Sequence, residues 1–168
     1  MLKKYEFGFD VGCLLLFLII MIPNFIWFAA QAPNDVLRMD SITETLDSVA
    51  SICQVLMITI LCVFRNRECK KICISPLIIT GIICCFMYFI SWIVYYIGVV
   101  NAFVILGLTV PPCLAFLAYA IDRKNKIAII PISIFTVCHL IYGIANFIIW
   151  QILIYRAAAQ SVNDYSDQ

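Results

Sequence analysis

Five apolar runs, separated by short polar intervals, make up most of this 168-residue chain. A helix that crosses about 30 Å of hydrocarbon needs about 20 mostly apolar residues, and each run reaches that length. Only 12% of the residues are charged, against about 25% in soluble domains. The sequence therefore predicts an all-α integral membrane protein with a single domain over residues 1–168 and no soluble domain. The predicted bundle has five transmembrane helices, at approximately 11–31, 44–64, 76–97, 102–121 and 129–153.

Basic residues are concentrated in alternate polar intervals, which predicts the orientation of the bundle. Cytoplasmic segments of membrane proteins are enriched in Lys and Arg. With a cytoplasmic N-terminus and an outside C-terminus, the inner segments hold Lys3, Lys4, Arg65, Arg67, Lys70, Lys71, Arg123, Lys124 and Lys126. The outer segments then hold only Arg38 and Arg156, and the first outer loop is acidic. Minimal loops and the lack of an Asn-x-Ser/Thr sequon resemble small bacterial membrane proteins, so we predict a multi-pass protein of a bacterial plasma membrane.

The last apolar run contains the only histidine of the chain, His139, and is divided into two faces. At about 100° per residue, one arc collects Thr136, His139, Tyr142, Gly143, Asn146 and Trp150. The opposite arc collects Val137, Leu140, Ile141, Ile144, Ala145, Ile148 and Ile152. This division predicts that one face of the helix contacts lipid and the other contacts protein or water.

Polar groups and prolines at similar depths predict a shared pocket inside the membrane. At a rise of 1.5 Å per residue, Gln54 and His139 lie near the bilayer middle, level with Pro111 and Pro112. The paired prolines predict a bent or interrupted fourth helix, and Pro23 predicts a kink in the first. Ionisable residues and helix breaks within a membrane are typical of functional sites. The predicted pocket opens outward and is lined by Asn24, Gln54, Ser91, Tyr95, His139, Tyr142 and Asn146.

Two interpretations of these polar residues stay open. In a pocket, the carboxylates of the acidic outer loop would favour a cation or a neutral polar molecule over an anion. Alternatively, Asn, Gln, Ser and His side chains join membrane helices through hydrogen bonds worth about 0.6–2 kcal/mol each. In that case they hold the bundle together and bind no ligand.

The residues do not predict an enzyme, a metal site or a cofactor. The chain lacks a Gly-x-Ser-x-Gly elbow, a His-Glu-x-x-His pair and a glycine-rich phosphate loop. One histidine beside scattered thiols supplies too few donors for a metal site. Cys69 and Cys73 flank a basic loop, and the other cysteines lie in or at the start of apolar runs. We interpret all nine as reduced packing residues.

The chain length, the five predicted spans and the segment Asn146-Phe-Ile-Ile-Trp150 resemble the tryptophan-rich sensory protein (translocator protein) family. Its members bind porphyrins and sterol-like ligands, so the resemblance implies a five-helix sensory protein. The family has a first loop and second helix rich in Trp and Pro, whereas this chain has only Trp27, Trp92 and Trp150 and an acidic first loop. The resemblance is one of architecture, and no site residue is carried over from it.

The predicted function is non-enzymatic binding, sensing or passage of a small molecule through the outward-facing pocket. The alternative is an accessory or interaction protein, such as a subunit or immunity factor, whose buried polar residues only pack helices. The predicted partners are the lipid bilayer, a small-molecule ligand, and a second copy or a partner membrane protein; no nucleic acid is predicted. Passage across the membrane would require a dimer, because five helices rarely enclose a conduction path.

Reporter fusions test the predicted orientation. Alkaline phosphatase is active only outside the cytoplasm, whereas green fluorescent protein exported unfolded stays dark. We expect phosphatase fused after Gln168 to be active and the fluorescent fusion at the same point to be dark. Fusions after Arg67, in a basic interval, should give the reverse pattern. Active phosphatase after Arg67 would contradict the cytoplasmic assignment of that interval.

Overall fold

The five predicted helices are present in the computed structural model, which describes residues 4–38, 43–68 and 74–166, without the side chains of 157–159 and 161–166. The helices are α1 (Val11–Ala29), α2 (Glu44–Val63), α3 (Pro76–Tyr96), α4 (Ala102–Asp122) and α5 (Lys126–Ser166). Each is long and apolar enough to cross a membrane, and the described residues confirm the predicted number of helices and the all-α class. Six residues named in the sequence analysis lie outside the described residues: Lys3, Cys69, Lys70, Lys71, Cys73 and Gln168.

Helix α4 lies at the centre of the bundle. In its most apolar stretch 67% of the residues are buried, against 17% in α1. It packs between α3 and α5, and α5 also packs against α2, whereas α1 has the fewest contacts with its neighbours. Small buried side chains such as Ala115 and Ala118 let neighbouring backbones approach closely, as is usual between membrane helices.

A short turn joins α3 to α4, as the sequence predicts. Gly98 has a φ of 92°, a left-handed conformation that glycine adopts without strain. Asn101 then caps α4, because its Oδ1 accepts a hydrogen bond from the backbone N–H of Val104 at 2.9 Å. The two helices form an antiparallel pair.

The three prolines predicted as helix breaks lie inside uninterrupted helices. Pro23 is within α1, and Pro111 and Pro112 are within α4. Both prolines of α4 are buried, and α4 is the most buried of the five helices. Tertiary packing therefore overrides the local tendency of two prolines to interrupt the helix, and the predicted interruption of α4 does not occur.

Helix α5 is longer at both ends than the predicted span 129–153. It begins at Lys126 because Asn125 Oδ1 accepts a hydrogen bond from the Ala128 N–H at 3.3 Å and so caps the first turn. At its other end the helix continues to Ser166, where the sequence predicts only a polar tail. The end of the apolar run does not end the helix, since residues 156–160 are Arg, three Ala and Gln, all strong helix formers.

The two predicted faces of α5 are confirmed. Val137, Ile141, Ile144, Ile148 and Ile152 are 43–57% exposed on the surface of the bundle. On the opposite arc, Gly143 and Asn146 are buried. The helix therefore directs its polar arc into the protein.

A pair of short strands, which the sequence did not predict, joins the start of the chain to the end of α2. Strand β1 (Tyr5–Phe7) pairs antiparallel with β2 (Phe64–Asn66), with Glu6 opposite Arg65. Three-residue strands are too short for an alternating pattern to be recognised in sequence. Asn66 Nδ2 also donates to Lys124 O at 3.0 Å, so the strand pair is attached to the turn between α4 and α5.

A buried ion pair closes the same end of the bundle. Asp10 caps α1 by accepting from the Cys13 N–H at 3.2 Å. Its carboxylate also accepts from Tyr119 OH at 2.5 Å and from Arg123 Nε at 3.1 Å. Each of these three residues is less than 10% exposed. This ion pair, Asp10 and Arg123 with Tyr119, joins the start of α1 to the end of α4; we call it the inner ion pair after the predicted orientation.

Removal of one partner of the inner ion pair should be strongly destabilising. We expect Arg123→Ala to lower the free energy of unfolding by about 3–5 kcal/mol, because Asp10 is left as an uncompensated buried charge. Unfolding by sodium dodecyl sulfate in mixed micelles measures this change. The double variant Asp10→Asn with Arg123→Ala should regain part of the loss, since no unpaired charge remains.

The exposed ion pair between Lys4 and Glu68 is the matched control. Lys4 Nζ lies 2.9 Å from Glu68 Oε1, and this hydrogen bond raises the pKa of Lys4 and lowers that of Glu68. Exposed pairs contribute little to stability, so Lys4→Ala should leave the unfolding curve unchanged. Equal losses in Arg123→Ala and Lys4→Ala would contradict a stabilising role specific to the buried pair.

Candidate functional site

A polar cavity lies between α1, α2 and α5, with α3 and α4 forming its inner wall. Its volume is about 350 Å³, and all five helices contribute to its lining. The lining residues are Phe17, Ile20, Met21, Asn24, Phe28, Asp47, Ala50, Ser51, Gln54, Tyr88, Pro112, Phe116, Phe135, His139 and Tyr142. Because α1 contributes its second half and α2 its first half, the cavity occupies the half of the bundle nearest the α1–α2 connection.

Four of the seven side chains predicted to line a pocket meet in this cavity: Asn24, Gln54, His139 and Tyr142. Asn24 Nδ2 donates to Tyr88 OH at 2.8 Å and to the backbone oxygen of Ile20 at 3.1 Å, so it joins α1 to α3. Tyr142 OH donates to Leu37 O at 3.2 Å, which attaches α5 to the segment after α1. The structure thus brings together residues that are far apart in sequence.

His139 is held in the cavity wall by ring stacking. Its imidazole stacks on Phe135, with ring centroids 5.1 Å apart and planes 16° apart, and on Tyr142 at 6.4 Å and 8°. Within the described part of the chain the His139 side chain makes no hydrogen bond. A polar group in a cavity without a protein partner needs water or a ligand to satisfy it. The same holds for the Gln54 side chain, which lies across the cavity on α2.

Asp47 and Ser51 line the cavity, although neither was among the predicted pocket residues. Asp47 lies one turn after the start of α2 and lines the cavity together with Ser51 and Gln54. Its Oδ1 accepts a hydrogen bond from Thr43 Oγ1 at 3.3 Å. The spacing of 47, 51 and 54 is that of one helical face, so this signal was present in the sequence.

Tyr95 was predicted to line the pocket, but it holds the segment after α1 in place. Its hydroxyl donates to Asp35 Oδ1 at 2.8 Å and accepts from the Leu37 N–H at 3.3 Å. The Asp35 side chain, only 1% exposed, also accepts from Trp27 Nε1 at 3.0 Å and pairs with Arg38 at 3.0 Å. We call Trp27, Asp35, Arg38 and Tyr95 the outer loop cluster. It anchors residues 30–38 against the ends of α1 and α3.

Ser91 and Asn146 do not line the cavity and take part in helix packing. Ser91 faces Gly107 where α3 crosses α4: a Cβ on Gly107 would lie 2.1 Å from Ser91 Oγ. Asn146 is 4% exposed and donates to Tyr142 O on its own helix at 2.9 Å. Next to it, a Cβ on Gly143 would lie 2.8 Å from Thr109 Cγ2 on α4. For these two residues the helix-packing interpretation is the one that the contacts support.

An apolar groove of about 710 Å³ lies on the other side of α1, in the opposite half of the bundle. It is bounded by α1 and α3, with Ala115 and Tyr119 of α4 at its floor. Gly12 and Gly81 line it, and because they carry no side chains they leave open space between α1 and α3. The groove and the polar cavity together explain why α1 is the least buried helix.

The α3–α4 crossing can be tested at Gly107. We expect Gly107→Ala to lower the free energy of unfolding by about 1–3 kcal/mol, because the new methyl group overlaps Ser91. Ser91→Ala should recover part of this loss by removing the overlapping oxygen. Gly12→Ala is the control, since its new methyl group meets open space. A Gly107→Ala variant as stable as Gly12→Ala would contradict the close approach.

The side chains present restrict the chemistry of the site. Among the described residues, no three His, Cys, Asp or Glu side chains come together as a metal site would require. The described cysteines are free thiols, and six of the seven are buried packing residues.

No protein-family model, curated protein or solved structure matches this chain. The lining residues of the polar cavity are therefore the basis for inferring what it binds.

Proposed function

We propose that this chain is a small non-enzymatic protein of a bacterial plasma membrane that binds a small molecule in the polar cavity, to sense it or to pass it on. The observation that carries the proposal is the cavity itself. Helices pack to fill space, yet here Asn24, Asp47, Gln54 and His139 converge from three helices on an open volume of about 350 Å³. Ligand sites of small molecules are typically 300–1,000 Å³ and carry a few convergent polar groups.

The distribution of charge supports an outward-facing cavity. The cavity lies in the half of the bundle that holds the acidic α1–α2 connection, whereas the basic residues cluster at the opposite end. By the enrichment of Lys and Arg on the cytoplasmic side, the cavity half faces outside. The inner ion pair and the buried residues Cys13, Met57 and Leu61 fill the other half. A ligand would then enter from outside and meet a closed inner end.

A sensing role requires less of this fold than transport does. One packed bundle with a closed inner end binds a molecule without releasing it on the other side. Transport would need the inner ion pair to open, or a second copy of the chain to complete a path. Binding is therefore the primary proposal, and passage of the ligand is its extension.

The second candidate function is that of an accessory membrane protein whose polar residues only join helices. The position of Ser91 supports it, because Ser91 lies outside the cavity where α3 crosses α4; the hydrogen bonds that Ser91 and Asn146 donate stay within their own helices. An accessory protein should co-purify with its partner and show no stabilisation by a ligand. His139 and Gln54 favour the binding function, since packing contacts within the described chain leave their polar atoms without hydrogen bonds.

Native mass spectrometry of the protein in lipid nanodiscs separates the two functions. We expect the wild type to carry a discrete non-lipid mass that is absent from His139→Ala. Ala50→Leu should also lose it, because the larger side chain fills the cavity wall without removing a polar group. Asn146→Ala is the control: it should be less stable but keep the bound mass, because it lies outside the cavity.

A bare wild-type spectrum under conditions that retain ordinary lipid would contradict the binding function. The same conclusion would follow if Asn146→Ala removed the bound mass as completely as His139→Ala does. Either result would leave helix packing as the role of the polar residues and direct attention to partner proteins.

A further inference from the structure

The chemistry of the polar cavity restricts its ligand further, provided that the proposed binding function holds. Its lining includes one carboxylate, Asp47, and no Lys or Arg. Asp47 is half-buried and close enough to His139 and Tyr142 to interact with them electrostatically. Coulomb interactions at such partly buried positions are several times stronger than in bulk water. The net field in the cavity therefore favours a positive charge and opposes an anion.

Aromatic rings make up much of the remaining wall. Six rings besides the imidazole line the cavity: Phe17, Phe28, Tyr88, Phe116, Phe135 and Tyr142. The face of an aromatic ring carries negative charge density and attracts organic cations, which is how quaternary ammonium groups are recognised. Phe116 and Phe135 are 2% and 7% exposed, so their positions are set by packing. Rigid rings of this kind form a wall before the ligand arrives.

Metal cations are a poor match for the same lining. Ca²⁺ takes six to eight oxygen ligands, and Mg²⁺ needs near-octahedral oxygen ligation. Here a single carboxylate stands among aromatic and aliphatic groups. An ammonium centre, in contrast, is satisfied by one carboxylate together with ring faces. A volume of about 350 Å³ accommodates such a centre with an apolar substituent.

We propose that the polar cavity binds an organic monocation, an ammonium centre that carries an apolar or aromatic substituent. The ammonium group lies beside Asp47, towards the α1–α2 connection. The apolar substituent extends towards the rings of Phe116 and Phe135. Gln54 and the imidazole of His139 supply hydrogen-bond acceptors to a ligand that bears an N–H group.

A pair of probes that differ only in charge tests this assignment. Benzyltrimethylammonium and neopentylbenzene have nearly the same shape, but the first has a charged nitrogen where the second has carbon. We expect wild-type protein in nanodiscs to bind the cation at least about tenfold more tightly than the neutral probe. Tryptophan fluorescence and isothermal titration calorimetry measure both affinities, with empty nanodiscs as the reference for partition into lipid.

Variants at two acidic residues of α2 locate the charge that is recognised. Asp47→Asn should weaken binding of the cation at least about tenfold and leave the neutral probe unchanged. Glu44→Gln is the matched control, because Glu44 lies one turn away, is exposed and does not line the cavity. It should bind both probes as the wild type does. Phe135→Leu keeps the wall apolar but removes a ring that contacts the substituent shared by both probes, so it should weaken binding of both probes to a similar extent.

The outcomes distinguish failure of this assignment from failure of the binding function. If the two probes bind equally, or if Asp47→Asn has no more effect than Glu44→Gln, the cation assignment is wrong while small-molecule binding stands. A bound non-lipid mass in the native spectra without any binding of the cation leads to the same conclusion. If neither probe binds and the native spectra show no bound mass, both proposals are wrong.

Discussion

The rest of the bundle depends on the packing of α4 between α3 and α5. In lipid, apolar surface alone gives helices little reason to associate, so close contact between small residues supplies much of the attraction. Gly107 admits Ser91 of α3, and Gly143 of α5 admits Thr109 of α4. These two approaches set the rotation and depth of three helices at once. Helix α4 also stays continuous through Pro111 and Pro112, both of which are buried, although prolines tend to interrupt a helix.

The placement of α4 determines where the protein has space. Pro112 and Phe116 form one wall of the polar cavity, and Ala115 and Tyr119 form the floor of the apolar groove. Helix α1 lies between these two volumes and contacts its neighbours sparsely along its length. Contacts near both of its ends keep it in place. The inner ion pair holds Asp10 before its first turn, and the outer loop cluster holds Trp27 in its last turn.

The charged residues that stabilise the bundle are different from the residues that line the polar cavity. The charges with the strongest fixed contacts, Asp10 and Asp35, are occupied by protein donors at opposite ends of α1. The groups that line the polar cavity lie between these ends, and several of them have hydrogen-bonding capacity that packing does not use. A site of this kind tolerates changes at Gln54 or His139 more readily than changes at Asp10. That difference is expected because the contacts that stabilise the fold lie at the ends of α1, away from the polar cavity.

The candidate site could be predicted in part from the sequence. The residues that were predicted wrongly share one cause. Asn24, Gln54, Tyr142 and His139 were identified by polarity, depth and helical face, and they do meet. Ser91, Tyr95 and Asn146 satisfied the same criteria, yet they contact Gly107, the outer loop cluster and the backbone of α5. Depth and face along one helix do not state which neighbour a side chain will meet. Asp47 lies on the same helical face as Gln54, but only the neighbouring helices show that this face lines a cavity as far as the first turn of α2.

By itself the sequence determined the number of helices, most of their ends and the outward face of α5. These features are local, because the thickness of the membrane sets the length of each apolar run and the geometry of the helix sets the period of 3.6 residues. Only the tertiary structure decided that α4 stays continuous, that two short strands pair, and that Asp10 meets Arg123 across 113 residues. It also decided which polar side chains share a cavity. Those outcomes depend on how far each helix is rotated and shifted against its neighbours, and small residues on the partner helices set that displacement.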